Sequence, residues 1–264
     1  MAEYPDLSVE RRDDGVVLVR LDNPEKRNAM SDAMTASWSR LMADLRTDRD
    51  ARALLVTGAG KAFCSGGDTG WIGGEPDASV DRLRSRMIGF YRDWLSVRDL
   101  EIPTIAAVNG AAIGAGLCLA LACDLRYAAP QAKLGAPFTS LGMHPGMAAT
   151  WLLPEVVGLA AARELLLTGR IVQGEEAREL GLVNRLLPED GFVDAALDIA
   201  ATVAAAAPVA TRYTTTALRD GGHASFEAAV QWEALAQPVT LATADLQEGL
   251  AAAREKRRPL FTGH

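Results

Sequence analysis

Asn109-Gly-Ala-Ala-Ile-Gly-Ala-Gly-Leu-Cys-Leu-Ala-Leu-Ala-Cys-Asp124 is the stretch whose reading decides the fold. It begins where an apolar, β-prone run ends at Thr104, Ile105, Ala106, Ala107 and Val108. It passes through Gly110, Gly114 and Gly116, then becomes Leu117, Leu119, Ala120, Leu121 and Ala122, the pattern of a buried helix. A strand, a glycine turn and a helix start together point free backbone N–H groups at whatever lies in front of them. Small residues let a ligand approach that backbone closely. On this stretch alone the ligand stays open: a phosphate, a carboxylate, a developing oxyanion, or none, if the turn only packs.

Working outward, the 264 residues allow one large domain, or a domain with an appendage. With 49% hydrophobic residues the chain can bury a substantial core. The net charge is −7 and no basic stripe occurs, which argues against a nucleic-acid binder. No run of 18 apolar residues is present and the N-terminus lacks a signal-peptide pattern, so the chain is expected to be soluble and cytoplasmic. Cys64, Cys118 and Cys123 are odd in number and lack CxxC spacing, so they read as free thiols and no metal site is expected.

Upstream, residues 7–12 and 16–21 read as strands joined at Asp13-Asp14-Gly15, a hairpin signal. Ser31 reads as the N-cap of a helix reaching about residue 46, and residues 53–57 as a short apolar strand. The loop at residues 58–68 fails as a phosphate-binding loop. Leu55 stands where its first glycine would be, and Ala62 follows the lysine in place of Ser or Thr. Residues 78–100 are helical by pattern. Downstream, residues 125–128 read as a strand, 133–138 as extended and 142–146 as a turn. Helices are expected at 147–157, 160–167, 174–180 and 192–206, and then at 210–218, 226–237 and 244–257. Strand, strand, helix recurs three times before residue 160 and helices follow, which suggests an α/β core with a helical appendage.

Two glycine loops, each after a buried strand, stand about 47 residues apart at Gly67 and Gly114. With Asn23-Pro24, Asn28-Ala29, Asp124 and the Gly142–Gly146 turn, they resemble the crotonase, or enoyl-CoA hydratase/isomerase, superfamily across essentially the whole chain. The resemblance implies an α/β fold: a crotonase-like spiral of ββα units with a C-terminal helical trimerisation region. It divides the chain into an acyl-CoA-binding core at 1–205 and a C-terminal helical region at 206–264. It implies an acyl-CoA or enoyl-CoA thioester as ligand, with coenzyme A entering as part of the substrate and no separate cofactor. The expected assembly is a homotrimer or a dimer of trimers, with no nucleic acid and no membrane as partner.

By motif position, the resemblance places an oxyanion hole at the backbone N–H groups of Gly67 and Ala115. Such donors aimed at an enolate oxygen are commonly the largest catalytic contribution. It places Lys26, Arg27 and Ala29 along the pantetheine and phosphates, and Ala62, Ser65, Asp68 and Thr69 around the adenine and thioester neck. Gly114, Cys118, Phe138 and Leu141 complete the expected substrate contacts. Hydratases of the family add water with two glutamates, and at those two positions this chain has Cys118 and Phe138. A thiol is a poor general acid or base near neutrality, and burial makes it poorer. His144, six residues after Phe138 in the turn, is the side chain best suited to proton transfer near pH 7. The implied activity is therefore that of an enoyl-CoA hydratase or isomerase family member that forms an enolate without the hydratase pair. The alternatives are a decarboxylase, a hydrolase or an isomerase using other groups, or a non-catalytic acyl-CoA binder.

Overall fold

The computed structural model describes residues 4–68, 74, 77–221 and 225–264. Thr69 lies outside them. β1 (Leu7–Arg11) and β2 (Val16–Leu21) form the expected antiparallel hairpin, closed where the Val16 N–H donates to the Asp14 carboxylate at 3.0 Å. β2 continues a six-stranded sheet in the order β1-β2-β3-β5-β7-β10, formed with β3 (Ala53–Gly58), β5 (Thr104–Val108), β7 (Leu125–Ala128) and β10 (Arg185–Leu186). Every pairing beyond the hairpin is parallel, and β3 and β5 are buried along their whole length, as parallel strands covered on both faces must be.

A second sheet has the order β4-β6-β8-β9, from β4 (Ala62–Cys64), β6 (Ala111–Ile113), β8 (Lys133–Gly135) and β9 (Val172–Gln173). The chain visits the two sheets alternately. β3 and β4 precede α2 (Val80–Leu95), β5 and β6 precede α3 (Ala115–Ala122), and β7 and β8 precede α4 (Ala149–Thr168). This is the spiral of ββα units. α1 (Asp32–Thr47) starts where Ser31 accepts the Met34 N–H at 3.1 Å, a side-chain cap of the expected kind. α1 and α2 pack through stacked Trp38 and Trp94 rings, 5.1 Å apart.

The remaining elements are helices joined to short strands: α5 (Gly174–Glu179), α6 (Phe192–Ala204), α7 (Pro208–Thr216), a π-helical turn at Ala217–Gly221, α8 (Phe226–Leu241) and α9 (Ala244–Glu255). Two attachments hold the last of them. Arg219 reaches into the core from the π turn, and the Asp245 carboxylate accepts the N–H groups of Thr262 (2.7 Å) and Gly263 (2.9 Å), tying down the C-terminus.

Several expectations need correction. Residues 58–68 are not all loop, since 62–64 form β4, and β6 intervenes between the central strand and its helix. Three-residue strands beside glycines leave no readable alternation. Residues 133–138 are extended only to Gly135. Phe138 (φ −59, ψ −46) is helical and leads into a 3-10 turn at Thr139–Leu141. The helix expected across 78–100 ends at Leu95 and gives way to a 3-10 turn at Ser96–Asp99. The two helices expected at 147–157 and 160–167 are present on either side of a break at Gly158 (φ 75, ψ 161), and only the start differs, at Ala149.

Candidate active site

α3 is apolar on all sides and all eight of its residues are buried, so it is held by the structure around it rather than by one amphipathic face. Its entrance is Gly114, whose backbone (φ 57, ψ −120) lies where a side chain would be strained. The first α-helical bond runs from the Cys118 N–H to the Gly114 carbonyl at 3.1 Å, so the N–H groups before it have no α-helical partner. Ala115 is the first of these, at the positive end of the helix dipole.

The second glycine loop is held directly against this entrance. Gly66 adopts φ 99, and a Cβ on it would meet the Ile113 carbonyl at 2.8 Å and the Ala115 nitrogen at 3.4 Å. Only glycine permits that approach. Met30 donates to the Gly66 carbonyl at 2.8 Å and forms a parallel bridge with Gly67. In a parallel bridge of this kind the residues flanking Gly67 carry the bonds, so the Gly67 N–H points away from Met30. The phenyl ring of Phe138 stands over Gly114, with ring carbons 3.7 and 3.8 Å from where its Cβ would be.

Asn28 organises the loop's outer side. It is fully buried, and its amide donates to the carbonyls of Ala59 (2.9 Å), Ala62 (2.8 Å) and Phe63 (3.3 Å) while accepting the Asn23 N–H at 2.9 Å. The segment carrying it is therefore tied to β4. Ser65 donates its N–H to the Arg27 carbonyl at 3.1 Å and its hydroxyl to the Lys26 carbonyl at 3.4 Å. Lys26 pairs with Asp68 at 3.6 Å. Lys26, Arg27, Ser65 and Asp68 thus form one group beside Gly66–Gly67. Ala29 and Ala62 are buried next to it, leaving little of either to touch a ligand.

Cys118 is fully buried, and burial pushes its thiol up to about 12, with neighbouring Cys64 adding to the rise. Its sulfur contacts the Gly146 carbonyl at 3.6 Å. At neutral pH it is a neutral thiol and no base. His144 is exposed on the turn. Its Nδ1 lies 2.8 Å from the Pro145 carbonyl, which only accepts, so Nδ1 is the donor of that bond. Leu141 is also exposed, at 71%. Among the described residues no cluster of three or more His, Cys, Asp or Glu could hold a metal ion, and no single helix is long and apolar enough to cross a membrane.

This arrangement accompanies a match to the enoyl-CoA hydratase/isomerase family model over residues 11–264. The chain belongs to that family. It is 44% identical over 209 residues to "Probable enoyl-CoA hydratase EchA14" of Mycobacterium tuberculosis, covering 78% of each chain. It is 36% identical over 256 residues to human "Enoyl-CoA hydratase domain-containing protein 2, mitochondrial", covering 95% of this chain and 87% of that one. The crystal structure of an enoyl-CoA hydratase from Bacillus anthracis superposes with a TM-score of 0.92 at 33% identity, over 98% of this chain and all of the other. The fold is the family's.

Two side chains that sequence reasoning did not single out stand out in the structure. Tyr91 of α2 places its hydroxyl against Gly146, and the neighbouring Met147 N–H favours its ionised form. Arg219 spans to Asp124 at the far end of α3, with Nε donating at 2.7 Å and a terminal nitrogen at 2.5 Å. Asp124 also accepts the Thr104 N–H at 2.7 Å and its hydroxyl at 2.8 Å, the structural acceptor role its place after the helix suggests. A tyrosine on an amphipathic helix and an arginine in an alanine-rich tail carry no local signature; only the tertiary fold brings them to these partners.

Proposed function

We propose that this protein is an enzyme acting on an acyl-CoA or enoyl-CoA thioester. The thioester oxygen sits between the backbone N–H groups of Gly67 and Ala115, where an enolate is stabilised. The observation that supports the reading is the close approach of the Gly66 loop to the entrance of α3, where a Cβ on Gly66 would stand 3.4 Å from the Ala115 nitrogen. Lys26 and Arg27 would face the CoA phosphates and Ser65 and Asp68 the thioester neck. Phe138, over Gly114, would bound the acyl group. Cys118 and Phe138 stand where the family's hydratases have glutamates, so water addition is not the favoured reaction, and enolate protonation or isomerisation fits the residues better. We further propose that the exposed apolar side chains of the C-terminal helices are covered in a trimer or a pair of trimers, and that the protein works in the cytoplasm.

Two measurements test this. Calorimetric titration with butyryl-CoA should give micromolar binding, with free CoA weaker; no heat with butyryl-CoA or with longer analogues would remove the thioester reading. The second uses Ala115→Pro. Proline is tolerated at the first position of a helix because that N–H lacks a helical partner, so the variant deletes the proposed donor with little cost to the helix. Turnover should fall by roughly 10²–10³-fold. Unchanged turnover in a folded variant would remove Ala115 from the site. Hydration of crotonyl-CoA by the wild type should be slower than a two-glutamate enzyme's by orders of magnitude, each acid–base group being worth about 10²–10⁴-fold.

A further inference from the structure

We infer that the Tyr91 hydroxyl is the proton-transfer group of this site, exchanging a proton with the α-carbon of a thioester enolate whose oxygen lies at Gly67 and Ala115. The inference rests on the thioester reading above and adds the group that this reading lacks.

The geometry is specific. Cys118 follows Ala115 by three residues, so its side chain shares a helix face with the proposed donor. The Cys118 sulfur touches the Gly146 carbonyl. Gly146 in turn lies directly under the Tyr91 hydroxyl, so closely that a Cβ there would collide with the phenol oxygen. The phenol therefore stands beside the helical position that carries a carboxylate in the family's hydratases. The neighbouring Met147 N–H favours the phenolate, and the phenol O–H can donate. Met147 (φ 53) and Ala148 (φ 55) are both left-handed, an uncommon conformation for consecutive non-glycine residues, and their turn presents that N–H.

The other titratable groups around the phenol are poorly suited. Cys118, facing it from α3, stays a neutral thiol. His144, in the turn two residues before Gly146, is exposed. Arg92 and Asp93 follow Tyr91 on its own helix. Burial raises the phenol above its ordinary value and the Cys118 side adds to the rise, while the Met147 N–H pulls the other way. At neutral pH Tyr91 is therefore a proton donor.

In the forward step the enolate's electron pair forms a C–H bond at the α-carbon, the phenol O–H bond breaks, and the phenolate keeps that pair against the Met147 N–H. Water then returns a proton to the phenolate. In reverse, the phenolate removes the α-proton and the C–H pair moves into the enolate. Little of the phenol is ionised at neutral pH, so α-proton removal by the phenolate is slow there. The site is thus better matched to substrates whose enolate arises by another bond cleavage, or to slow proton exchange, than to water addition.

The test is α-proton exchange of butyryl-CoA in D2O, read by mass spectrometry against pH, with thioester affinity measured separately by calorimetry. In the wild type the exchange rate should rise about tenfold per pH unit from pH 7 to beyond pH 9, following the phenolate. Tyr91→Phe keeps the ring, and it should bind butyryl-CoA within a few-fold of wild type, lose the rising limb, and exchange at least 10²-fold more slowly at pH 9. A wild-type profile that levels near pH 7 would assign the proton to an imidazole and overturn the inference. So would binding without exchange, or a Tyr91→Phe profile that keeps its shape, since a merely structural hydroxyl lowers the rate without changing its pH dependence. Absent butyryl-CoA binding overturns the thioester reading itself, and the separate titration distinguishes that failure from the others.

Discussion

α3 and α8 are both rich in apolar residues, yet the structure treats them in opposite ways. All eight residues of α3 are buried, while none of the sixteen in α8 is. Phe226 is 85% exposed and Leu235 is 74% exposed on α8. α3 is enclosed by the two sheets and by α4, and its glycines let those neighbours approach its backbone. α8 contacts mainly α7, α9 and the π turn. Apolar composition therefore says that a helix needs a cover, and the fold says whether this chain provides it. For α3 it does, and the N–H groups at its entrance are fixed as a result. For α8 the cover would have to come from another surface, for which a second copy of the chain is our proposal.

One leucine from each helix gives the sharpest way to break this comparison. Leu119→Ala, in fully buried α3, should cost about 4 kcal/mol, because it removes enclosed side-chain volume that the packed strands cannot refill. Leu235→Ala should change the unfolding free energy of the isolated subunit by less than about 0.5 kcal/mol. Its effect should appear instead as weaker self-association in sedimentation experiments. Urea unfolding at low protein concentration reads the first quantity. Comparable losses for the two variants would mean that α8 is packed within its own subunit.

The junction between the two regions gives the next largest effect. The Arg219 side chain is only 5% exposed. Besides Asp124 it donates to the carbonyls of Arg98 (2.9 Å), Leu100 and Ile102 (3.4 Å) and to the Thr104 hydroxyl (3.1 Å). Arg219→Ala leaves Asp124 and three carbonyls with fewer partners. The expected cost is about 3 kcal/mol, the lower end for breaking a buried pair, because Asp124 retains some solvent. Thermal unfolding should move to lower temperature by several degrees. Arg219→Lys should recover only part of it, since a point charge cannot reproduce the fork. A shift of under one degree for Arg219→Ala would show that the C-terminal helices are held by something other than this clamp.

The parts of the fold that were legible share a physical cause, and so do those that were not. β2, β3 and β5 of the larger sheet could be found because they are apolar runs of five or six residues, and α1 because Ser31 caps it with a side-chain oxygen. β4, β6, β9 and β10 were not legible, because strands of two or three residues are made by their neighbours rather than by their own sequence. At the candidate site the glycine loops were legible because close backbone approach demands glycine. Their mutual contact through Gly66 was not, since 48 residues separate it from Gly114. Tyr91 was invisible for the same reason: its meaning lies in Gly146 and Met147, more than fifty residues downstream.

The smallest effect concerns the thiols that line the enclosed region. Cys64, Cys118 and Cys123 are each fully buried, and burial pushes each up to about 12. An unfolded cysteine titrates near about 8.5. Above that value the unfolded chain releases protons that the folded chain keeps, so the folded state binds more and stability falls with rising pH. The cysteine contribution should be flat below about pH 8 and decline from there toward pH 12, by at most about 1.4 kcal/mol per pH unit for each thiol. Urea unfolding at pH 7.5, 8.5 and 9.5, compared between the wild type and Cys123→Ala, isolates one thiol. Cys123 is chosen because it lies at the far end of α3 from the proposed oxyanion hole. The variant loses a little packing at every pH, but its stability should fall less steeply above pH 8.5. Parallel curves would mean that the Cys123 environment admits water readily enough to ionise the thiol in place, and that the enclosure of α3 ends before its last turn.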